Sequence, residues 1–195
     1  MSSTNRSISR DSHVADYYIT PQDKIVEFLQ AFETDCKIFC DNKIKILDPC
    51  AGGDASHPMS YPSAIQSLYG DIGHTIQTID IREDSLAEEK TNFLNAEIES
   101  NPDVIITNPP FNLALDIIKK SLNDVKDEGL VIMLLRLNFF GSNERYPFFL
   151  ENMPKYAYVH HKRISFTNGA TDSIEYMHAV WQKGSKNKST LLKVI

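Results

Sequence analysis

The stretch DVIITNPPFNLALDII, residues 103–118, sets an aliphatic run against an amide, two prolines and an aromatic ring, and then turns to helical spacing. Val104, Ile105 and Ile106 form a short apolar run rich in β-branched residues, the pattern of a strand covered on both faces. LALDIIKKSLNDV, 113–125, carries the periodicity of an amphipathic helix. A buried strand that passes through an irregular turn into a helix is half of a βαβ unit, so the sheet it belongs to is parallel. The turn itself is unusual. Pro109 and Pro110 fix φ and bring no N–H donors, holding the chain extended where the sheet ladder stops and leaving carbonyls free to accept. The side-chain oxygen of Asn108 and the carbonyl of Pro109 can converge on one planar NH2 group. Phe111 offers a face for a flat ring, an interaction worth ~1–3 kcal/mol per base in single-strand binders. Together these residues suit an exocyclic amine on an aromatic ring.

Outward from that unit the same alternation continues. Thr20-Pro21 signals a helix start, with threonine as cap and proline in the first turn, and Ile25, Phe28, Leu29 and Phe32 recur at helical spacing. IKILDPC, 44–50, reads as a buried strand entering a turn, and Pro62 opens a helix through Ile65 and Leu68. TIQTIDI, 75–81, is the next strand, followed by an acidic helix or turn, REDSLAEEK. GLVIMLLRLNFF, 129–140, is a fourth strand, and YAYVHHKRISF (156–166) and SIEYMHAVWQK (173–183) form a closing pair joined by a turn at Asn168-Gly169. The expected fold class is α/β, a mostly parallel doubly wound sheet with an antiparallel C-terminal edge. In such sheets ligands bind beyond the carboxyl ends of the strands. Three of the first four strands end in polar sequence there. Gly52-Gly53 permits positive φ and close backbone approach to a ligand, and Asp80 closes a strand where a carboxylate can accept both hydroxyls of a ribose. Together they describe a nucleoside site.

With 195 residues, 42% hydrophobic and 24% charged, the chain has the composition of an ordinary globular domain. Its aliphatic runs are far too short to span a bilayer, and the polar start MSSTNRSISRDSH has no signal-like apolar core, so a cytoplasmic location is expected. Three cysteines argue against a disulfide framework, and Cys36 and Cys40 have no second ligand pair for zinc, so no metal is expected. The net charge of −6 is unevenly spread: residues 1–129 hold 11 Lys+Arg against 22 Asp+Glu (−11), and residues 130–195 hold 9 against 4 (+5). Residues 1–15 read as a mobile segment, 16–183 as one domain, and 184–195 as a solvated basic tail.

The order and spacing of these motifs resemble the S-adenosylmethionine-dependent DNA adenine-N6 methyltransferases of small phage or bacterial type, over residues 16–183. The resemblance implies a Rossmann-like methyltransferase fold with S-adenosyl-L-methionine as cofactor. DYYITP, 16–21, is similar to the N-terminal cofactor motif and implies contacts from Tyr17 and Thr20. DPCAGGD, 48–54, resembles the cofactor loop, through Asp48, Pro49, Cys50, Ala51 and Gly52. DIRED, 80–84, implies that Asp80 holds the cofactor's ribose with Ile81 beside it. TNFL, 91–94, places Asn92 and Phe93 where the family has Asp-Phe, against the cofactor's adenine. NPPF resembles the catalytic motif, making Asn108, Pro109, Pro110 and Phe111 the catalytic set, with Asn108 also at the cofactor. Arg136, and Arg163 and Phe166 in an Arg-x-x-Phe segment, are the implied substrate contacts beside Phe111. The sequence departs from the family at Gly52-Gly53-Asp54, where the loop carries Gly-x-Gly, at Asn92, and in the extra SHPMSYPSAI.

The implied reaction is transfer of the sulfonium methyl group to the N6 amine of adenine in DNA, on a single-stranded or flipped-out base. Residues 140–173, with Arg145, Lys155, His160, His161, Lys162 and Arg163, are the one stretch suited to reading a target, so either specificity is short or relaxed, or a protein partner or a homodimer provides it. Methylation of RNA adenine or of a protein glutamine, which is also a planar amide, and a scaffold subunit serving a catalytic partner are the other readings.

Overall fold

The computed structural model describes residues 18–166 and 174–195. The expected mobile segment 1–15, Tyr17 and the Asn168-Gly169 turn lie outside the described residues. The strands are β1 (Lys45–Asp48), β2 (Thr75–Asp80), β3 (Glu89–Lys90), β4 (Val104–Thr107), β5 (Leu130–Arg136), β6 (Tyr156–Val159), β7 (Tyr176–Gln182) and β8 (Leu191–Val194). The helices are α1 (Gln22–Glu33), α2 (Ile38–Asp41), α3 (Ser60–Tyr69), α4 (Ala114–Asp124) and α5 (Tyr146–Glu151). One eight-stranded sheet runs β3-β2-β1-β4-β5-β7-β6-β8, parallel from β3 to β5, with β7 antiparallel to both β5 and β6. This is the α/β fold expected, and the crossover from β1 to β4 puts a switch in strand order beside the first and third strand ends.

Successive strand residues feed opposite faces. Ile46, Val104, Ile106, Ile132, Tyr158 and Val180 pack under α1 and α3, against Ile25, Phe28, Leu29, Phe32, Tyr61 and Ile65. Leu47, Ile105, Val131, Met133, Ala157 and Trp181 pack under α4 and α5, against Ile117, Ile118, Phe148 and Phe149. The continuous apolar runs in β4 and β5 are therefore needed on both sides.

Three expectations are corrected and one alternative is decided. Thr20 does not cap α1: Pro21 occupies the cap position, without a side-chain cap bond, and the Thr20 hydroxyl is engaged elsewhere. The acidic 82–90 segment, expected as a helix or a turn, is a turn that ends in the two-residue β3, which extends the ladder beside β2. The fourth strand stops at Arg136 and not at Phe140, because its partner β7 begins at Tyr176, the residue opposite Arg136, and Leu137–Phe140 coil into a 3-10 turn. The basic tail is not merely solvated. Leu191–Val194 pair in parallel with β6, with the Leu191 and Ile195 N–H groups donating to Lys155 and Val159 carbonyls at 3.0 and 2.9 Å. Lys193 meets Asp35 in an ion pair. An open sheet edge beside Tyr156 and Tyr158 makes strand formation there favourable.

Candidate active site at the strand ends

β1 runs into the Gly52-Gly53 loop. Both glycines have positive φ, +64° and +75°. A Cβ on Gly53 would lie 2.9 Å from Met59 Cγ and 3.1 Å from two Leu86 atoms, so the loop passes Met59 and Leu86 as bare backbone. Asp48, Pro49, Ala51 and Gly52 are buried beneath it and Cys50 is half-buried. Burial pushes the Asp48 carboxyl up to about 7, against the pull of the Thr107 hydroxyl and the Cys50 N–H, which donates to Asp48 Oδ1 at 3.2 Å. Burial also pushes the Cys50 thiol well up, so Cys50 stays a neutral thiol. Asp54, where the resemblance leads one to expect glycine, is satisfied locally. Its carboxylate accepts from the Ser56 and His57 N–H groups at 2.7 and 2.9 Å and meets His57 Nδ1 at 3.0 Å. The aspartate thus closes its own turn on the far side of the glycine pair.

The second strand end locks to the first. Asp80 accepts the Gly52 N–H on Oδ2 at 2.7 Å and the Arg82 N–H on Oδ1 at 2.8 Å. Each carboxylate oxygen has a further lone pair to offer a hydroxyl. Ile81, directly beyond it, leaves 46% of its surface exposed, an apolar face next to an acceptor pair. Asn92 accepts the Leu94 N–H at 3.0 Å and caps the 3-10 turn of Phe93–Asn95. The Phe93 ring is buried in the core under α4, with the Lys120 ammonium 5.0 Å from its centroid, so only its backbone is open to a ligand.

The third strand end carries the Asn-Pro-Pro-Phe turn. The Leu113 N–H takes the Pro110 carbonyl at 3.0 Å and closes the turn into α4, whereas the Pro109 carbonyl accepts no hydrogen bond among the described residues. Asn108 Nδ2 donates to Thr20 Oγ1 at 3.0 Å, and Asn108 Oδ1 is buried with no hydrogen-bond partner among the described residues. A buried amide oxygen without a donor is costly unless something binds there. Phe111 is half-buried in an aromatic group. Tyr18 stacks at 6.2 Å and 29°, Tyr176 lies at 5.8 Å, and the Arg136 guanidinium sits 4.4 Å above its ring. Phe166 is 7% exposed and packs edge-on against Tyr176 and Tyr18, at 4.9 and 5.8 Å. Arg163 is elsewhere: it is exposed and pairs with Glu175 at 3.3 Å. The structure therefore gathers Thr20, Asp48, Asp80, Ile81, Asn108 and Phe111 at the carboxyl ends of β1, β2 and β4. It puts Arg136 and Phe166 on the aromatic side and leaves Arg163 at the surface.

Sequence reading missed Tyr18 and Tyr176 in this group, although Tyr18 lies within the DYYITP motif. It also missed a buried polar chain behind the loop. The Tyr61 hydroxyl meets His178 Nε2 at 3.0 Å, His178 Nδ1 meets His160 Nε2 at 3.0 Å, and His160 Nδ1 faces Glu27 Oε2 at 3.4 Å.

No family model and no curated protein matches the sequence. Solved structures do match. A Listeria monocytogenes protein assigned to the class I S-adenosylmethionine-dependent methyltransferases superposes with a TM-score of 0.64 at 15% identity, over 91% of this chain and 65% of its own. The 23S rRNA methyltransferase ErmE gives 0.53 at 10%, over 89% of this chain and 72% of that one. The M protein of the type I restriction enzyme EcoKI gives 0.54 at 13%, over 77% and 44%. The chain spans less than two thirds of the Listeria protein's length. At these identities the likeness speaks for the fold, and the chain has the Rossmann-like fold of the S-adenosylmethionine-dependent methyltransferases.

Proposed function

We propose that this chain is an S-adenosylmethionine-dependent methyltransferase that methylates the N6 amine of adenine in DNA. The observation that carries the reading is the Asn108 side-chain oxygen, buried without a donor among the described residues at the end of β4, with a Pro109 carbonyl that likewise accepts from none of them and the Phe111 ring beside it. Two acceptors and a ring face are what a planar aromatic amine requires. The cofactor fits the remaining strand ends: Asp80 for the ribose hydroxyls, Ile81 for the adenine face, and the Gly52-Gly53 backbone for the methionine part. When bound it supplies an electrophilic methyl group on a sulfonium. The chain's own groups do the rest. By accepting the two amine hydrogens, Asn108 Oδ1 and the Pro109 carbonyl draw the nitrogen's lone pair out of the ring and stabilise the positive charge that develops on it. Phe111 holds the base in plane, and fixing the two reactants in line accounts for much of the acceleration.

Neighbours named as a restriction-enzyme M protein and an rRNA methyltransferase support a nucleic-acid acceptor. A protein partner or a second copy supplies target recognition in this reading. The test is transfer from methyl-labelled S-adenosylmethionine to unmethylated DNA, with RNA of the same sequence and a glutamine-containing protein beside it, each digested and its product identified. Labelled N6-methyldeoxyadenosine is expected. Asn108→Ala should lower turnover by roughly 10²–10³, as removal of one preorganised group at a reacting centre does, while cofactor binding is retained. Label confined to RNA or protein, or unchanged turnover in Asn108→Ala, would overturn the assignment.

A further inference from the structure

Nine large apolar side chains are exposed among the described residues, and they fall in two places. Tyr18, Ile81, Leu86 and Leu113 border the strand ends described above. Tyr146, Leu150, Leu191, Leu192 and Val194, each more than half exposed, lie on α5 and β8, and β8 stands four strands from β4 in the sheet. β8 is the last strand of the sheet at that side, with β6 as its one neighbour among the described residues. The Leu191 and Ile195 N–H groups donate inward to Lys155 and Val159, so by alternation the N–H and C=O groups of Leu192 and Val194 point away from the sheet. The Leu192 and Val194 side chains stand on the α5 face, because their partners across the ladder are Ala157 and Val159. Lys188 Nζ donates to the Leu150 carbonyl at 3.2 Å, which ties α5 to the segment leading into β8. Edge strands are ordinarily guarded by a proline, a bulge or an outward lysine. β8 holds no proline, and its one lysine, Lys193, is drawn onto Asp35 on the α1 face, where the Tyr158 hydroxyl reaches the same carboxylate. The edge is therefore apolar and unguarded. Its five side chains bare on the order of 500 Å² in each chain; a stable interface needs roughly 800 Å² per partner, and the strand main chain with its neighbours supplies the difference.

We infer that this edge is where two copies of the chain join, β8 pairing antiparallel with β8 across a two-fold axis. The inference locates the second copy that the proposed function allows for, and it does not depend on the methyl-transfer chemistry. A second copy fits because the edge is complementary to itself, as a closed two-fold pairing requires. With the axis at Leu192, the two Leu192 residues exchange both main-chain bonds, and the outward N–H of Val194 reaches the carbonyl of Thr190 of the partner subunit. Lys193 then stands opposite Leu191 of the partner subunit, whereas an axis at Lys193 would oppose two lysines. The two Leu192 side chains meet on the α5 face of one continuous sheet.

The experiment is sedimentation velocity on the full chain from about 1 to about 200 µM, with Leu192→Glu, Val194→Pro and, as control, Leu86→Glu, equally exposed but beside the glycine loop. The natural chain and Leu86→Glu should be dimeric at the top of the range, and the two β8 variants monomeric throughout. Proline at 194 removes an N–H that β6 does not use, so Tm should stay within about 3 °C of the natural chain. Oxidation tests the register. With the exposed Cys40 replaced by serine, Leu192→Cys should give a covalent dimer, since the axis sets this position against itself at a Cα spacing of about 5.5 Å, and Val194→Cys should not. A monomer at every concentration overturns the inference, as does a dimer that survives both β8 substitutions. Should those variants unfold, the cysteine pair decides alone: cross-linking at 192 only supports the pairing, and cross-linking at neither position or at both overturns it. None of these readouts uses methyl transfer, so turnover in Asn108→Ala bears on the functional reading alone.

Discussion

Removing one hydroxyl, Tyr61→Phe, should destabilise the protein measurably through a chain of bonds no element holds alone. Tyr61 is 2% exposed, His178 0% and His160 2%. The Glu27 carboxylate sets the direction of the chain. It can only accept, so His160 carries its proton on Nδ1, His178 donates from Nδ1 to His160 Nε2, and the Tyr61 O–H donates to His178 Nε2. Lys24, 2.7 Å from Glu27, holds that carboxylate below the usual range, with His160 adding to the effect. Phenylalanine fits the same space and leaves His178 Nε2 buried without a donor, a cost of about 1–3 kcal/mol. At about 2–4 °C per kcal/mol for a chain of this size, the Tm should fall by roughly 2–12 °C, read by calorimetry at pH 7.5. Tyr146→Phe, on a side chain 63% exposed, is the control and should shift nothing. Burial pushes both histidines below 6.5, His178 well below. In the window between those lowered values and 6.5 the unfolded chain binds more protons than the folded one. The contribution of the two neutral rings is therefore fully present above 6.5 and is lost as pH falls through the folded values. Phe28, stacked on His178 at 4.0 Å, Asp23, whose charge acts on His160, and Asp48, whose charge acts on Tyr61, also face the chain. Ring nitrogen spectra at pH 7.5 should show both histidines neutral with the proton on Nδ1, and at pH 6 His178 should still be neutral. An unchanged Tm in Tyr61→Phe, or a charged His178 ring at pH 6, would refute the reasoning.

Two further outcomes follow from the strand ends. Gly53→Ala forces a left-handed alanine whose Cβ meets Met59 and Leu86 at 2.9–3.1 Å; left-handed backbone alone costs roughly 1–2 kcal/mol, so both Tm and cofactor affinity should fall, by calorimetry and equilibrium dialysis. Asp48, raised to about 7 from 3.8, binds its proton more tightly in the folded chain, so its contribution is present below 3.8 and is lost as pH rises through about 7. Asp48→Asn should remove that loss from a Tm series between pH 4 and 8, and an unaltered series would contradict it.

The parts of the fold legible in the sequence are those where local and long-range demands agree. In β4 an apolar run buried on both faces ends at prolines that cannot extend a ladder, so strand, turn and helix are written in consecutive residues. The same holds for Asp48 with Gly52-Gly53, and for Asp80. The histidine chain was not legible, because its links span 117, 18 and 133 residues and each member read singly is an ordinary polar residue. β8 was misread because LLKV follows the lysine-rich 183–188 stretch and itself carries Lys193, and only the open edge of β6 gives it a partner. Thr20 was recognised as a site residue, but the capping reading used up its hydroxyl. That Pro21 takes the cap, freeing the hydroxyl for Asn108, depends on where a segment 88 residues later comes to rest.

Strand direction also dissolves the basic third of the sequence as a single surface. β5, β6 and β8 run in the same sense as β1 and β4, and β7 runs against them. His161, Lys162 and Arg163, just past β6, therefore lie at the same end of the sheet as Asn108, whereas Lys183, Lys186 and Lys188, past β7, lie at the opposite end, where Lys183 donates to the Asn123 and Val125 carbonyls. At that end Arg163 is already paired with Glu175. For the proposed nucleic-acid acceptor, the rings at the site, Phe111 and the 41% exposed Tyr18, are what would hold a base by its face whatever its neighbours, and a base already out of its helix is the one such rings reach at least cost.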